Sequence, residues 1–468
     1  MSPADDARRR RLVVAACSLS VFIVSTDTNT VNVALPALQA DFAVPLTSLQ
    51  FLVSAYTMAL ASFYLLSGTV GDRFGRRTVL LSGLGLFAIG SVLCAAAWSF
   101  PILVAFRVIQ AVGAAMLAPM AIAILNDEFT DRAERARAIG TWAIAGGLGA
   151  GFGPVAGGLL VTAFGWRSIY WATTPFAVLA LVLGLLAIRN VTGSTRPALN
   201  LGTQALLATA LCSLLVVTVH AGSSGFDGVT VLAIAVLVGA VAALVFTERR
   251  NRTPLLDARL FRRGPFTGAL VAIMSGFFLL GGVFFLSSFF LQTTLGVSAL
   301  VAGLAMTAWS LGSILSSRFI GQLASRRPAG FFYALTGILA TVGIGMMLIA
   351  SGSGEVILAL VFVTVGLFGA GAAFSMANTS TSIFGLEGVA PDIMGRAAAF
   401  LSVARQVAQS LGVALTSLVF DGAGGSASAH GSAAYVPAYL FVVGVVVLLL
   451  CLVPVAGGWH RRRTTGSR

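Results

Sequence analysis

The chain has 468 residues, of which 57% are hydrophobic and only 10% are charged. A mean hydropathy of +0.96 excludes an ordinary soluble domain and indicates an integral membrane protein. The net charge of +13 comes from 29 basic residues, all of them Arg, which lie almost entirely in short polar gaps between apolar runs. This placement favours a role in membrane topology over the alternative, an RNA-binding basic tail, so we expect no nucleic-acid partner.

About fourteen apolar runs reach the roughly 20 residues that a helix needs to cross the hydrocarbon core. The short alternating segments of a β-barrel are absent from the sequence, so the predicted fold is all-α. Gaps rich in Arg alternate with gaps that have almost none, beginning with Arg8 to Arg11 before the first run. By the positive-inside rule, this alternation predicts that both termini are cytoplasmic. Residues Leu12 to Pro36 are too long for a signal-peptide core and lack a convincing cleavage site, so we expect this first run to be retained as a helix.

The predicted helices fall into three groups. The longest cytoplasmic gap, Glu248 to Arg263, follows the eighth predicted helix, and a shorter gap follows the sixth. We therefore expect a six-helix half at residues 1–190, two linking helices with a cytoplasmic loop at 191–263, and a second six-helix half with a basic tail at 264–468. A weak repeat supports this division, since GTVGDR at Gly68 to Arg73 is echoed by GQLASR at Gly321 to Arg326. Parallel repeats of this kind build many secondary transporters.

The first predicted helix contains six consecutive polar residues, Ser25 to Thr30. Because successive residues advance about 100° around a helix, this segment has no apolar face for lipid and must be enclosed by protein or line water. Asp27 is the acidic residue that lies well inside a predicted span, which marks it as a functional candidate. The alternative is a structural ion-pair partner. The amides of Asn29 and Asn32 are candidate hydrogen-bond donors to a substrate.

The short turn after the second predicted helix carries the charged sequence GTVGDRFGRR. Gly68 and Gly71 are expected to permit close packing, and Gly75 to permit a tight turn. Asp72 is placed at a helix end, where it can meet the N-terminus of a neighbouring helix. The basic residues, which can meet acidic partners or lipid phosphate, are Arg73, Arg76 and Arg77. Basic residues alone do not distinguish a conformational role from one in topology only.

The fourth predicted helix contains a second candidate for the membrane interior, Arg107. At about 1.5 Å per residue, Arg107 and Asp27 lie at the same depth, roughly 11 Å from the outer ends of their helices, so we expect them to be neighbours. Gln110 lies three residues further on and shares the Arg107 face.

The fifth predicted helix reads GTWAIAGGLGAGFGPVAGGLL and is rich in regularly spaced glycine. Glycines at four-residue steps make a groove into which another helix can pack, as in small-xxx-small contacts. Pro154 removes one backbone hydrogen bond and is expected to kink the helix. Ordinary packing between membrane helices is the alternative explanation of any single step. The spaced residues are Gly140, Gly149, Gly153, Pro154, Gly157 and Gly158.

A late predicted helix, Ile393 to Phe420, contains the polar residues Arg405, Gln406 and Gln409 within an apolar run. Arg405 and Gln409 lie four residues apart and share one face. Arg405 either donates to backbone carbonyls or contacts an electron-rich substrate. The His residues form no metal spacing and the sequence has no nucleotide-binding loop, so we expect no metal, no cofactor and no catalytic group. Energy is then expected to come from an ion gradient.

Together, these motifs resemble the signatures of the major facilitator superfamily. The pattern G-x-x-x-D-R-x-G-R-R is similar to the family's loop latch, which breaks and reforms as two halves rock. The pattern R-x-x-Q-x-x-G-A-A at Arg107 to Ala115 is similar to a helix-four signature linked to proton transfer, and G-x8-G-x3-G-P-x2-G-G on helix five resembles the antiporter signature. DTNTVNVALP at Asp27 to Pro36 and the segment around Arg405 resemble features of the fourteen-helix drug:proton antiporters.

The resemblance implies a multi-pass protein of the bacterial cytoplasmic membrane that exports small hydrophobic drugs or antibiotics in exchange for protons. It makes Asp27 the proton carrier and Arg107 its electrostatic tuner. In the second copy of the loop pattern Ser325 stands where Asp72 stands in the first, so a latch there is expected to be weak or absent. We expect a monomer. The alternatives to drug export are a metabolite or lipid exporter of the same fold, or a membrane-embedded sensor. The expected cavity residues are Asn29, Asn32, Gln110, Arg405, Gln406 and Gln409.

Overall fold

The computed structural model describes residues 3–189, 200–224, 227–250, 260, 264–323, 326–385, 389, 391–425 and 432–456. In this part of the chain, fourteen helices are long and apolar enough to cross a membrane and there is no strand, which confirms the predicted all-α membrane fold. The basic tail and most of the loop that follows the eighth helix lie outside the described residues. The helices are α1 Pro3–Phe42, α2 Leu46–Phe74, α3 Arg76–Ala95, α4 Phe100–Glu128, α5 Arg132–Phe164, α6 Arg167–Ala187, α7 Leu201–Ser224, α8 Gly228–Arg250, α9 Gly264–Phe289, α10 Ala299–Leu323, α11 Ala329–Gly352, α12 Val356–Ser380, α13 Pro391–Gly422 and α14 Tyr435–Ala456.

Helix α1 begins nine residues earlier than the sequence predicts, at Pro3 instead of Leu12. The extension places Asp6 in the first turn, where a carboxylate interacts favourably with the positive end of the helix. Arg9 and Arg10 pair with Asp6 one turn later, and they also reach Glu128 at the end of α4. Charged residues that a hydropathy pattern counts as a loop therefore continue the helix, because ion pairs along and across it stabilise the first turns.

The chain divides into two compact units. Unit 1 comprises Met1–Leu215, Ile234–Val241 and Ser298–Gly303, and unit 2 comprises Val216–Ala233, Ala242–Val297 and Leu304–Arg468. In unit 1, α1 packs on α5 and α6, and α4 packs on α2 and α3. In unit 2, α9 packs on α13 and α14, and α11 packs on α12 and α14. The expected division into two six-helix halves with a linking pair stays a prediction.

Candidate functional site

Asp27 on α1 and Arg107 on α4 form a buried ion pair in unit 1. Arg107 Nη1 lies 2.6 Å from Asp27 Oδ2, and each side chain is 2% exposed. The two residues are 80 positions apart in the chain, so the contact depends on how α1 and α4 pack. Charged groups at such burial are costly unless they are paired and hydrogen-bonded, which makes this pair a candidate functional site.

Gln110 joins both members of the pair. Its Oε1 accepts from Arg107 Nη1 at 2.5 Å, and its Nε2 donates to Asp27 Oδ1 at 3.1 Å and to Ser91 Oγ at 2.7 Å. Each oxygen of the Asp27 carboxylate therefore has its own donor, one from a guanidinium and one from an amide. These hydrogen bonds link the four side chains and fix their positions, although the buried Arg107 Nε has no hydrogen-bond partner among the described residues. We refer to Asp27, Arg107, Gln110 and Ser91 as the buried polar network.

Close contact between α3 and α4 places Ser91 beside Gln110. A Cβ added at Gly90 would lie 2.7 Å from the Gln110 Cα, and one added at Gly113 would lie 2.6 Å from the Phe87 backbone nitrogen. Only glycine lets the two backbones approach this closely. Ser91 follows Gly90 directly, so the same contact that requires glycine brings its hydroxyl within reach of the amide.

Two tyrosines hold the Arg107 guanidinium by their ring faces, and sequence reasoning missed both. Arg107 Cζ lies 3.9 Å from the centre of the Tyr56 ring on α2 and 5.6 Å from that of Tyr170 on α6. Both side chains are fully buried. A cation on an aromatic face is stabilised by about 2 kcal/mol when water is excluded. The only sequence signal was the presence of Tyr within apolar helices, Tyr56 and Tyr64 in α2 and Tyr170 in α6, since the hydroxyl of Tyr is polar and its ring is not.

The glycine face of α5 covers the polar segment of α1. A Cβ at Gly149 would lie 2.5 Å from the Phe22 carbonyl oxygen, and one at Gly153 would lie 3.0 Å from the Thr26 carbonyl oxygen. Thr30 Oγ1 donates to the Gly153 carbonyl at 3.0 Å. The residues from Ser25 to Thr30 are all buried or half-buried, so protein encloses the segment.

The amides of Asn29 and Asn32 donate to α1 itself, one turn back. Asn29 Nδ2 lies 2.7 Å from the Ser25 carbonyl oxygen and Asn32 Nδ2 lies 3.0 Å from that of Thr28. Asn29 is half-buried and Asn32 is buried. Both therefore lie on the helix that carries Asp27, and their contact with a substrate stays a prediction.

The remaining spaced residues of α5 have different surroundings. A Cβ at Gly157 would meet Thr30 of α1, and one at Gly158 would meet the backbone of Ala299 and Leu300 at the start of α10. Pro154 is buried within α5. A Cβ at Gly140 meets nothing within 4 Å among the described atoms, so packing does not require glycine there.

The charged turn between α2 and α3 depends on Gly75, which has a φ of 95° that side chains rarely adopt. A Cβ at Gly71 would collide with the Met120 side chain of α4, which agrees with the expected close packing. A Cβ at Gly68 meets nothing within 4 Å among the described atoms, so the close packing expected of this glycine stays a prediction.

The basic residues of this turn contact the ends of α4 and α6. Arg76 Nη1 donates to Asp127 Oδ1 at 2.6 Å, and its Nη2 donates to Asp72 Oδ1 at 3.3 Å. Arg77 Nη2 donates to the Leu185 carbonyl oxygen at 3.0 Å. Asp72 therefore accepts a hydrogen bond from the Arg76 side chain. The sequence had predicted that Asp72 would meet the N-terminus of a neighbouring helix. Arg73 is exposed.

The three candidate cavity residues of α13 lie in unit 2. Gln409 is buried, whereas Arg405 and Gln406 are half-buried. Arg405 Cζ lies 5.9 Å from the centre of the Phe277 ring on α9. A cavity shared with the residues of α1 and α4 stays a prediction.

Comparisons with known proteins identify the family of the chain. The sequence model of the Major Facilitator Superfamily matches residues 17–413. The multidrug resistance protein Stp of Mycobacterium tuberculosis is 31% identical over 409 residues, which cover 87% of this chain and 75% of that protein. The drug efflux pump JefA of the same organism is 30% identical over 455 residues, covering 94% of this chain and 86% of the relative.

Solved structures of transporters share the fold. A bacterial homologue of the human lysosomal transporter Spinster, in an inward-facing and occupied conformation, aligns with a TM-score of 0.69 at 16% identity, covering 96% of this chain and 97% of that one. A peptide transporter of the POT type in complex with sulfate aligns with a TM-score of 0.69 at 14% identity, over 96% of this chain and 95% of the other. The chain is therefore a multi-pass membrane transporter that belongs to the major facilitator superfamily, and its relatives include multidrug and antibiotic efflux pumps.

Proposed function

We propose that the protein is a proton-coupled antiporter, which exports small hydrophobic drugs or antibiotics across the bacterial cytoplasmic membrane by alternating access. Asp27 carries the proton, and Arg107 sets the energy of the charged carboxylate. Both termini lie in the cytoplasm, and the protein acts as a monomer. Efflux pumps among the relatives support the substrate class, and the alternation of Arg along the sequence supports the orientation.

The observation that carries the proposal is the buried ion pair between Asp27 and Arg107. When a proton binds Asp27, the guanidinium loses its counter-charge while it remains excluded from water. Removing one partner of a buried ion pair costs about 3–5 kcal/mol. Protonation therefore changes the relative energy of conformations that bury this pair to different extents, and that difference is what couples proton binding to a conformational change.

Gln110 and the two tyrosines hold the Arg107 guanidinium in place when Asp27 is protonated. Arg107 keeps a hydrogen bond to Gln110 and the ring faces of Tyr56 and Tyr170 after Asp27 becomes neutral. The positive charge thus stays at one place while the carboxylate titrates. If the guanidinium could move away when Asp27 is protonated, leaving it unpaired would cost less free energy and the coupling would be weaker.

The charged turn between α2 and α3 acts as the conformational latch in this account. Its arginines contact the cytoplasmic ends of α4 and α6, so they join helices of unit 1 to one another. The glycine face of α5 keeps this helix against the polar segment of α1 while the unit moves. These contacts hold the helices of unit 1 together in the conformation described here, and those of the charged turn break and reform as the transporter changes conformation.

The test uses substitution of Asp27 in purified protein. A compound that is less toxic to cells expressing the protein, and that regains toxicity with a protonophore, serves as the substrate. In proteoliposomes that contain a pH-sensitive dye, this compound is expected to move protons through the unchanged protein. Asp27→Asn keeps size and hydrogen bonding but does not titrate, so the proton signal is expected to disappear.

Asp41→Asn is the matched control, since Asp41 is also on α1 but is 45% exposed and pairs with Arg167. It is expected to transport as the unchanged protein does. An undiminished proton signal from Asp27→Asn would contradict the role of Asp27. Transport of metabolites or lipids alone, without any effect on a drug panel, would favour an exporter of those compounds instead.

A further inference from the structure

A groove of about 540 Å³ runs between α11 and α14 on the surface of unit 2. Its floor consists of small residues on α11 that recur at steps of three or four, so they lie on one helix face. Val447, Leu450 and Cys451 of α14 form one wall. The floor residues are Gly330, Ala334, Gly337 and Thr341.

The groove is as long as one leaflet of a membrane is deep. Its lining on α11 extends from Gly330 to Val342, and twelve steps of about 1.5 Å make about 18 Å. Half of a hydrocarbon core of about 30 Å is about 15 Å. The groove begins at the second residue of α11, so it runs from the end of a membrane span to just beyond its middle.

Two arginines lie at the mouth of the groove. Arg326 and Arg327 lie just before Pro328, which precedes the first residue of α11, and both are exposed. Arg327 packs its guanidinium over Phe331, 5.3 Å from the ring centre, and Phe331 adjoins Gly330. Basic residues at this depth, next to a gap between membrane helices, are suited to a phospholipid phosphate.

A face of small residues usually receives another helix. Among the described residues, the lining comes from α11 and α14 alone, and the rim residues Ile338 and Val342 are 59% and 53% exposed. An open apolar groove in a bilayer is filled by hydrocarbon. The positive charge at its mouth favours the acyl chain of a lipid whose headgroup is anionic.

We propose that this groove is a binding site for an anionic phospholipid, with one acyl chain along the floor of α11 and the phosphate at Arg326 and Arg327. The site lies on α11 and α14 and uses none of the residues of the buried polar network. It therefore stands independently of the proposed proton coupling.

Cys451 provides a reporter inside the groove, since it is exposed and lines the wall. The test uses full-length protein in which Cys451 is the only cysteine, labelled with a small fluorophore and placed in phosphatidylcholine bilayers. Either phosphatidylglycerol or phosphatidylcholine with brominated acyl chains is then added at equal mole fraction, and quenching is compared. Each arginine near a lipid phosphate is expected to favour the anionic lipid by about fivefold.

Two variants separate the headgroup from the chain. Arg326→Gln with Arg327→Gln is expected to make the two lipids quench equally. Gly337→Leu fills the floor and is expected to reduce quenching by both lipids. A fluorophore at Val361→Cys, an exposed position on α12, is the control and is expected to show no preference in any variant.

Equal quenching by both lipids at Cys451 in the protein with both arginines would overturn the proposal. So would a preference that persists in the double arginine variant. In the same single-cysteine protein left unlabelled, a disulfide between the Cys451 residues of two chains, formed in the bilayer, would show that a second copy occupies the groove instead. Size-exclusion profiles that match the parent protein establish that each variant is folded.

Discussion

Two glycines of the same α5 motif are expected to respond oppositely to alanine. Gly149 faces α1, where a Cβ would lie 2.5 Å from the Phe22 carbonyl oxygen and 3.0 Å from Thr26 Oγ1. Gly140 faces open space, with nothing within 4 Å of an added Cβ among the described atoms. Both are helical, so each replacement gains about 0.5–1 kcal/mol from the lower conformational freedom of alanine in the unfolded chain.

Only Gly149→Ala carries a packing cost, because a backbone carbonyl cannot move away as the end of a side chain can. Forcing an extra methyl group into a packed contact costs about 1–3 kcal/mol. The gain from alanine is common to both variants, so the difference between their free energies of unfolding isolates this cost of about 1–3 kcal/mol. Gly149→Ala is therefore expected to destabilise the protein and Gly140→Ala to stabilise it slightly.

Unfolding of the purified protein in mixed micelles, followed by tryptophan fluorescence as the denaturing detergent increases, measures both variants against the parent. If Gly149→Ala and Gly140→Ala change the stability equally, the close packing of α5 on α1 is wrong. A loss of transport in Gly140→Ala without loss of stability would give that glycine a role that packing does not explain.

Tyr56→Phe keeps the ring that lies 3.9 Å from Arg107 and is expected to retain coupling, whereas Tyr56→Leu removes it and is expected to lower proton-coupled transport about tenfold. For topology, Trp98→Cys is expected to react with an impermeant maleimide from outside the cell and Thr130→Cys only from inside, in a background without the native cysteines; the reverse pattern would overturn the orientation. Neutral, weakly acidic or monocationic compounds are expected to be exported in preference to dications. The reason is that Asp27 is already paired with Arg107 and would have to serve both a cation and the proton. Efficient export of a diamidine would contradict this preference.

Hydropathy was enough to predict the number of helices, because a membrane span requires a long apolar run wherever it lies in the fold. Depth in the membrane also predicted that Asp27 lies beside Arg107, because the position of a residue along a membrane-spanning helix fixes its depth. The start of α1 was not predictable in this way. Residues from Pro3 to Arg11 form a helix because Arg9 and Arg10 find acidic partners on other helices, and hydropathy does not record partners.

The positions of the two tyrosines at the site could not be predicted from the sequence for a similar reason. Tyr56 and Tyr170 act by where their rings lie, and that depends on how α2 and α6 rotate about their axes. Ser91 is brought to Gln110 by Gly90, a contact that needs the pairing of α3 with α4 to be known. The packing role that the motif pattern gave to Gly68 stays a prediction, since no described atom lies within 4 Å of a Cβ added there.

Proton release on substrate binding measures the proposed exchange of substrate and proton at Asp27 itself. Purified protein in weakly buffered detergent solution, with a pH-sensitive dye, is mixed with a saturating amount of an exported compound. We expect release of up to about one proton per chain from the unchanged protein and from Asp41→Asn, and none from Asp27→Asn. Equal release from Asp27→Asn and the unchanged protein would contradict it.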